Sequence, residues 1–518
     1  MQVCKAYKSA DVDIREAILR IEAHWLKIQH QLEFLRKIWP SLDDDYQIHQ
    51  NTVLQVLQGK VKAATTLVDG LIGQPEDAST KTIKSKKGEA RRAKYAMWKK
   101  SSLENVLADL KDWSEVFDMS WFLITLQPSA AIDHELHPVQ EGDGTSLSTL
   151  KELRNAVYST FDGQLDEKKS SVFLSFDEFD KKATKVEYSF AELWHDTEGN
   201  KSFVVDHPND TSTVAHVCNL AKRLRTIEPM QFGILRCHGI LKQEADASKQ
   251  NGQGSTRFVF TLPFQIKPPQ SLRELLVARL GDQVLDDRFS LARQLAKAVM
   301  FVHSAGFVHK NIRPETVLVL RGDDQQPHAV LTGFKSFRLD EGKTLLRGDD
   351  LWEANLYRHP TRQGVQPEDT YSMQHDIYSL GVCLLEIGVA DSLVLYNTQG
   401  DPEPNPNLTG LLDTSIKGTR KKAFETKRAL VTIAGDVLPA KMGRKYANIV
   451  LTCLTCLDNS DNSFGTEAEF LDENGLLVGV RFIEKVGRSG PPVLLRDSYL
   501  LNCAGSHWSP RSHDMNWS

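Results

Sequence analysis

The chain has few cysteines, little net charge and no long uncharged apolar run, and each scarcity removes a class of protein. Seven cysteines are scattered through 518 residues. An odd number at such wide spacing does not make a disulfide framework and points to a reducing compartment. The net charge of −5 is too small for this length to direct the whole surface to nucleic acid or membrane. The most apolar stretch, YSLGVCLLEIGVADSLVLY, is broken by Glu386 and Asp391, so a constitutive membrane span is not expected. The opening residues, MQVCKAYKSADVD, hold no apolar core of signal-peptide length. The expectation is a cytoplasmic protein. The histidines form no H-E-x-x-H pattern, and no G-x-S-x-G elbow occurs. Cys453 and Cys456 lack a second pair at zinc spacing, so no metal is expected.

What is present begins with helical periodicity. Ile14, Ile18, Ile21, Trp25, Ile28, Leu32, Leu35 and Trp39 recur at alternating steps of four and three, one stripe of a helix over residues 11–39. Pro40 and Ser41 stop it. A second stripe runs through Val53, Leu57, Val61, Ala64, Val68 and Leu71 to Gly73. A third follows the capping-box pair Ser101 and Glu104, through Leu103, Leu107, Leu110, Trp113, Phe117 and Trp121. Three such helices need one another to bury their stripes, which predicts an all-α helical bundle over 1–127. Residues 128–150, rich in Pro, Gly, Ser, Thr and acids, read as a linker.

Between the second and third stripes, residues 81–100 hold nine Lys or Arg and one acid, Glu89. A charge run is ordinarily a solvated face. The functional alternative is docking on anionic lipid headgroups, with Lys84, Lys86, Lys87, Arg91, Arg92 and Lys94 as candidates. No nucleic-acid recognition motif stands beside the patch, so nucleic acid is not an expected partner.

From residue 151 the pattern changes. Strand-like runs appear at SVFLSF, KVEYSF, KSFVV, GILRCHGI and TRFVFTL, and helical patterns follow from Leu272. Strands first and helices afterwards predict an α+β arrangement. Within it, DDRFSLARQLAKAVMFVHSAGFVHKNIRPETVLVL reads as helix, turn, loop and strand, and LTGFKSF, LYRHPT and HDIYSLGVCLLEIG follow. In that order these segments resemble the protein kinase catalytic loop H-R-D-L-x-x-x-N, the D-F-G motif, the end of the activation segment and the helix beginning D-x-W/Y-S-x-G. The resemblance covers about 151–486. It implies a two-lobed protein kinase-like domain behind the bundle, and so a multidomain chain.

Carried over residue by residue, the resemblance implies a damaged reaction centre. Asn311 stands at the loop aspartate and Thr316 at the metal-binding asparagine. Gly333 stands at the aspartate of D-F-G, Phe334 is kept, and Lys335 replaces the glycine. Arg313 keeps a positive charge, and Lys310 follows His309. A neutral amide cannot take a proton as a carboxylate does, and a glycine cannot ligate Mg²⁺ through its side chain. No G-x-G-x-x-G occurs over 151–205, and SFVVDHP offers Asp206, His207 and Pro208 where the phosphate lysine should end its strand. The resemblance therefore implies a pseudokinase: not an enzyme, with no cofactor and no ATP binding expected. His309 is expected to pack beside the loop, Asp376 to cap its backbone, Tyr378 and Gly381 to set helix packing, and Pro360 to be a retained structural residue. Residues 487–518 read as an irregular tail.

The segments DIREAILRIEAHWLKIQHQLEFLRKIWPSL, NTVLQVLQGKV and SLENVLADLKDWSEVFDMSWFLI resemble, over about 6–127, the HeLo domain of fungal prion-inhibition and propagation proteins. That resemblance implies a helical bundle tied to cell death through membrane damage. Family members usually begin with a further apolar segment, whereas this chain starts almost directly before its long helix. The combined expectation is a non-catalytic signalling protein in which the pseudokinase controls a HeLo-like effector, in fungal incompatibility or cell death. Expected partners are a second copy or a related HeLo protein, and the anionic plasma membrane on activation. Two alternatives stand beside it: an interaction scaffold without membrane activity, and an atypical protein kinase that retains ATP binding.

Overall fold

The structure, a computed structural model, describes residues 12–42 and 44–72, interspersed positions between 105 and 155, and most of 172–458. The N-terminal part is helical. Helix α1 (Val12–Ile38) passes into a 3-10 turn at Trp39–Ser41, where Pro40 ends the α-helical hydrogen bonding. Helix α2 spans Asp44–Ile72. The described positions between 105 and 125 are helical, and Leu110, Trp113, Phe117 and Trp121 are buried with Ile28, Leu35, Val53 and Leu57. A polar seam fixes their register. Gln31 donates to Asp118 at 2.9 Å, Gln50 donates to Ser120 at 2.6 Å, and the Trp121 indole donates to the Gln31 carbonyl at 3.1 Å.

Two sequence expectations need correction here. Trp25, placed on the buried stripe of α1, is 46% exposed, whereas Ile28, one turn on, is buried. The span read as a linker contains helix α3 (Ala130–Leu136), with Ile132 and Leu136 buried. Arg154, almost fully buried, donates to Asp133 at 2.6 Å and to the Thr125 carbonyl at 2.5 Å, and so ties this span to the third helical segment. Two well-placed apolar residues and one bidentate arginine outweigh a turn-rich composition.

The body is mixed. A six-stranded sheet has the order β1-β5-β6-β4-β3-β2. Its strands are β1 (Phe173–Leu174), β2 (Thr184–Lys185), β3 (Glu192–His195), β4 (Ser202–Asp206), β5 (Arg236–Gln243) and β6 (Ser255–Thr261). Only β1 pairs in parallel, with β5. KVEYSF does not form one strand. The chain reverses after Lys185, and Tyr188 takes a left-handed φ of 47°, leaving a tight turn between β2 and β3. Helix α4 (Val214–Leu224) follows β4.

Beyond the sheet come β7 (Gln270–Ser271), α5 (Leu272–Val277), α6 (Leu285–Ser304), β8 (Phe307–Val308), β9 (Val317–Arg321) and β10 (Pro327–Leu331). After them come α7 (Met373–Val389), α8 (Arg420–Asp436) and α9 (Leu438–Thr455). Helix α7 is buried along nearly its whole length, as its near-continuous apolar sequence requires. Tyr378 is buried, and a Cβ at Gly381 would lie 2.7 Å from that of Cys453, so a glycine lets α7 and α9 approach closely.

Candidate functional site

The loop 309–316 sits between β8 and β9, at the meeting of sheet and helices, and its two halves are held differently. One half is anchored by Asp376, fully buried near the start of α7. Its carboxylate accepts the backbone N–H of His309 at 2.6 Å and of Lys310 at 2.8 Å. It also accepts the Tyr371 hydroxyl at 2.7 Å and lies 3.1 Å from His303 Nε2. Burial works against its charge, but His303, His309 and Tyr371 outweigh it and hold the carboxyl below its ordinary value. Lys310 needs that anchor, because its φ of 63° is unfavourable for a residue with a side chain. His309 is fully buried, 3.0 Å from the Thr332 carbonyl and 4.9 Å from the Phe334 ring. Burial holds its imidazole down at about 4, against the pull of Asp376, so it is neutral near pH 7.

The other half faces the cleft. The Asn311 amide donates to the Gly333 carbonyl at 3.2 Å. The Thr316 hydroxyl lies 2.8 Å from the Asn311 carbonyl and accepts from Arg313 N at 3.2 Å. Gly333 has a φ of 81°, and a Cβ there would fall on Thr316 Cγ2 and lie 2.7 Å from its Cβ. Thr316 and Gly333 are therefore one packing solution: with threonine at 316, an aspartate at 333 has no room. Asp206, at the end of β4, completes this side. It is buried, and its carboxylate accepts the N–H of Gly333 at 2.7 Å and of Phe334 at 2.9 Å.

The turn after β2 meets the loop at Arg313 and lines a cavity with Arg313 and Glu315. Ser271 donates to the Glu187 carbonyl at 2.7 Å, Tyr188 stacks on Tyr396 at 4.6 Å, and the Arg313 guanidinium lies 4.5 Å over the Phe190 ring. Asp206 is engaged with backbone N–H groups, and no group of three His, Cys, Asp or Glu that could hold a metal is found among the described residues.

Of the other residues singled out in the sequence, Pro360 is buried in the 3-10 turn Pro360–Arg362. Lys335 and the basic candidates Lys84, Lys86, Lys87, Arg91, Arg92 and Lys94 lie outside the described residues, as does the tail 487–518. Sequence reasoning missed a charged core. Arg273, fully buried on α5, lies 3.1 Å from Glu315 and 3.0 Å from Glu386, and donates to the Tyr357 hydroxyl at 2.6 Å. Tyr357 in turn donates to Glu386 at 2.7 Å. Glu386 inside the apolar run was the available signal, since a buried acid there requires a cation.

No family model matches the chain. It is similar to a probable serine/threonine-protein kinase kinase of Dictyostelium discoideum, 27% identical over 123 residues, which is 24% of this chain and 26% of the relative. It is also similar to a probable cell division protein kinase of Encephalitozoon cuniculi, 27% identical over 169 residues, 30% of this chain and 51% of the relative. The chain thus spans about a quarter and about half of the curated relatives it matches. Both relatives are named as probable protein kinases, and the chain has a helical N-terminal region and a mixed helix–sheet body compatible with a kinase-like fold. The losses at Asn311, Thr316 and Gly333 lead to the expectation of a non-enzyme. The relatives overturn it, because both are named as kinases and the similarity points to an enzyme class. No helix among the described residues is long and apolar enough to cross a membrane.

Proposed function

We propose that the chain is a kinase-like signalling protein whose cleft passes between a closed form, the one described above, and an open form. The observation that carries this reading is the Asp206 carboxylate seated on the N–H groups of Gly333 and Phe334. Two adjacent backbone N–H groups make an anion-binding concavity, and here the protein fills it with its own side chain. A ligand that needs this position must first displace Asp206, which links sheet to loop across 127 residues of sequence. Opening is then a population shift between two packed arrangements. In this reading the N-terminal helical region is the output. It acts as the HeLo resemblance implies, on a second copy, a related protein or, through the basic segment 81–100, an anionic membrane surface.

Thermal unfolding of the full chain with ADP or ATP, with and without Mg²⁺, tests it. The wild-type chain is expected to shift little, and Asp206→Asn, which removes the charge but keeps the shape, to shift more. A nucleotide at 100 times its Kd stabilises by about 2.7 kcal/mol. An identical response from both proteins would sink the proposal.

A further inference from the structure

The turn at 186–191 carries bulky side chains where the kinase pattern has glycines, and its tip reaches Ser271, Arg313 and Tyr396, all far along the chain. Tyr188 is the telling residue. Its left-handed φ of 47° is unfavourable for any side chain and is uncommon outside places where surrounding structure enforces it. What enforces it here is the stack on Tyr396, which lies on the short strand Val394–Tyr396 beyond α7, together with the Ser271 hydroxyl on the neighbouring Glu187 carbonyl. Two residues on, Phe190 is 38% exposed, and its ring face lies under Arg313. The space beside these contacts is a cavity of about 650 Å³, lined also by Lys185, Glu315 and Glu353. The tip of the turn is therefore held by an aromatic stack, a cation–π contact and a hydrogen bond beside open volume, while Val186 and Ala191 at its base are buried in the core.

We infer that the turn 186–191 is a strained lid, latched shut by Tyr188 on Tyr396 and Phe190 on Arg313, and that releasing either latch lets it lift without unfolding the domain. The inference rests on the closed-cleft reading above and adds the device that closes it. Tyr396 is also the point through which the far side of the domain reaches the lid. Its hydroxyl lies 3.4 Å from Glu315, a member of the buried Arg273 cluster. A partner that grips the hairpin formed by Val394–Tyr396 and Pro402–Pro404 could move Tyr396, and with it the lid.

Hydrogen exchange on the full chain without nucleotide tests this, so its failure is separable from failure of the nucleotide response. The Val186, Ser189 and Ala191 amides are bonded within the turn and are the reporters. Tyr396→Ala and Phe190→Ala are each expected to speed their exchange on the order of fivefold to tenfold, as loss of one aromatic contact implies. Tyr396→Phe, which keeps the stack, should match wild type. Amides of β9 serve as the control and should not change. Unchanged exchange at 186–191 in either alanine variant overturns the inference, and so does acceleration that is equal in β9. Phe190 is partly exposed, so its variant keeps the test valid if Tyr396→Ala fails to fold.

Discussion

The two halves of the loop 309–316 share one backbone and differ in what their side chains serve. In the half next to Asp376, two backbone N–H groups, a hydroxyl and an imidazole converge on one buried carboxylate. The half facing the cleft has its one carboxylate, Glu315, paired with the buried Arg273. Asn311 and Thr316 bond to the loop and to Gly333, and Asp206 reaches in from β4 to take the remaining N–H groups. The contrast teaches that the fold and the cleft are built by different residues. A buried donor without a partner costs about 1–3 kcal/mol wherever it lies, and the backbone N–H groups of His309, Lys310, Gly333 and Phe334 are taken up by two different carboxylates, Asp376 and Asp206.

The largest blow to this contrast is Asp376→Ala. It strands the N–H groups of His309 and Lys310 and leaves Lys310 in an unfavourable conformation without its anchor. Denaturant unfolding should show a loss of about 3–5 kcal/mol, or no folded protein. A loss below 1 kcal/mol would mean that the anchor is not what holds the loop.

Acid should come next, and it acts on the anchored half. His309 and His375 are both held at about 4, in each case by burial first. Unfolded histidines take up protons near pH 6.5, whereas these do so only near 4. Between those values the folded state binds fewer protons, so stability declines as the pH falls through the window. The slope is up to about 1.4 kcal/mol per pH unit for each group. A flat midpoint of thermal unfolding between pH 6.5 and 4.5 would contradict the burial of these rings. His309→Gln should reduce the slope.

The cleft half is tested by Gly333→Ala, expected to cost about 2–3 kcal/mol from the clash with Thr316 and the left-handed backbone together. Thr316→Ser removes the clashing methyl and should recover about 1 kcal/mol of it. Strict additivity in this double-mutant cycle would show that the two positions are not one packing solution.

Much of the frame was legible before any coordinates. The stripe and Pro40 delimit α1 to within a residue, because helical periodicity and a proline stop are local properties. The continuous apolar run of α7 likewise marks a central helix. The cleft was only half legible. Asp206 stood out as the residue in place of a lysine, but its partners lie more than a hundred residues away, and nothing local to SFVVDHP names them. The turn at 187–190 was hidden for a related reason. Its alternating apolar pattern suits a strand, and tertiary contacts to Ser271, Arg313 and Tyr396 override it.

The sequence by itself determined the order of the elements, the helical N-terminal region, the kinase-like succession of loop, turn and helix, and the absence of carboxylates at 311 and 333. Each of these is written in residues that are neighbours along the chain. Only the tertiary structure decided that Asp206 meets the N–H groups of Gly333 and Phe334, that a Cβ at 333 would fall on Thr316, and that Tyr188 in its left-handed turn meets Tyr396. Those facts depend on distances between segments far apart in sequence, and burial is what turns such distances into free energy.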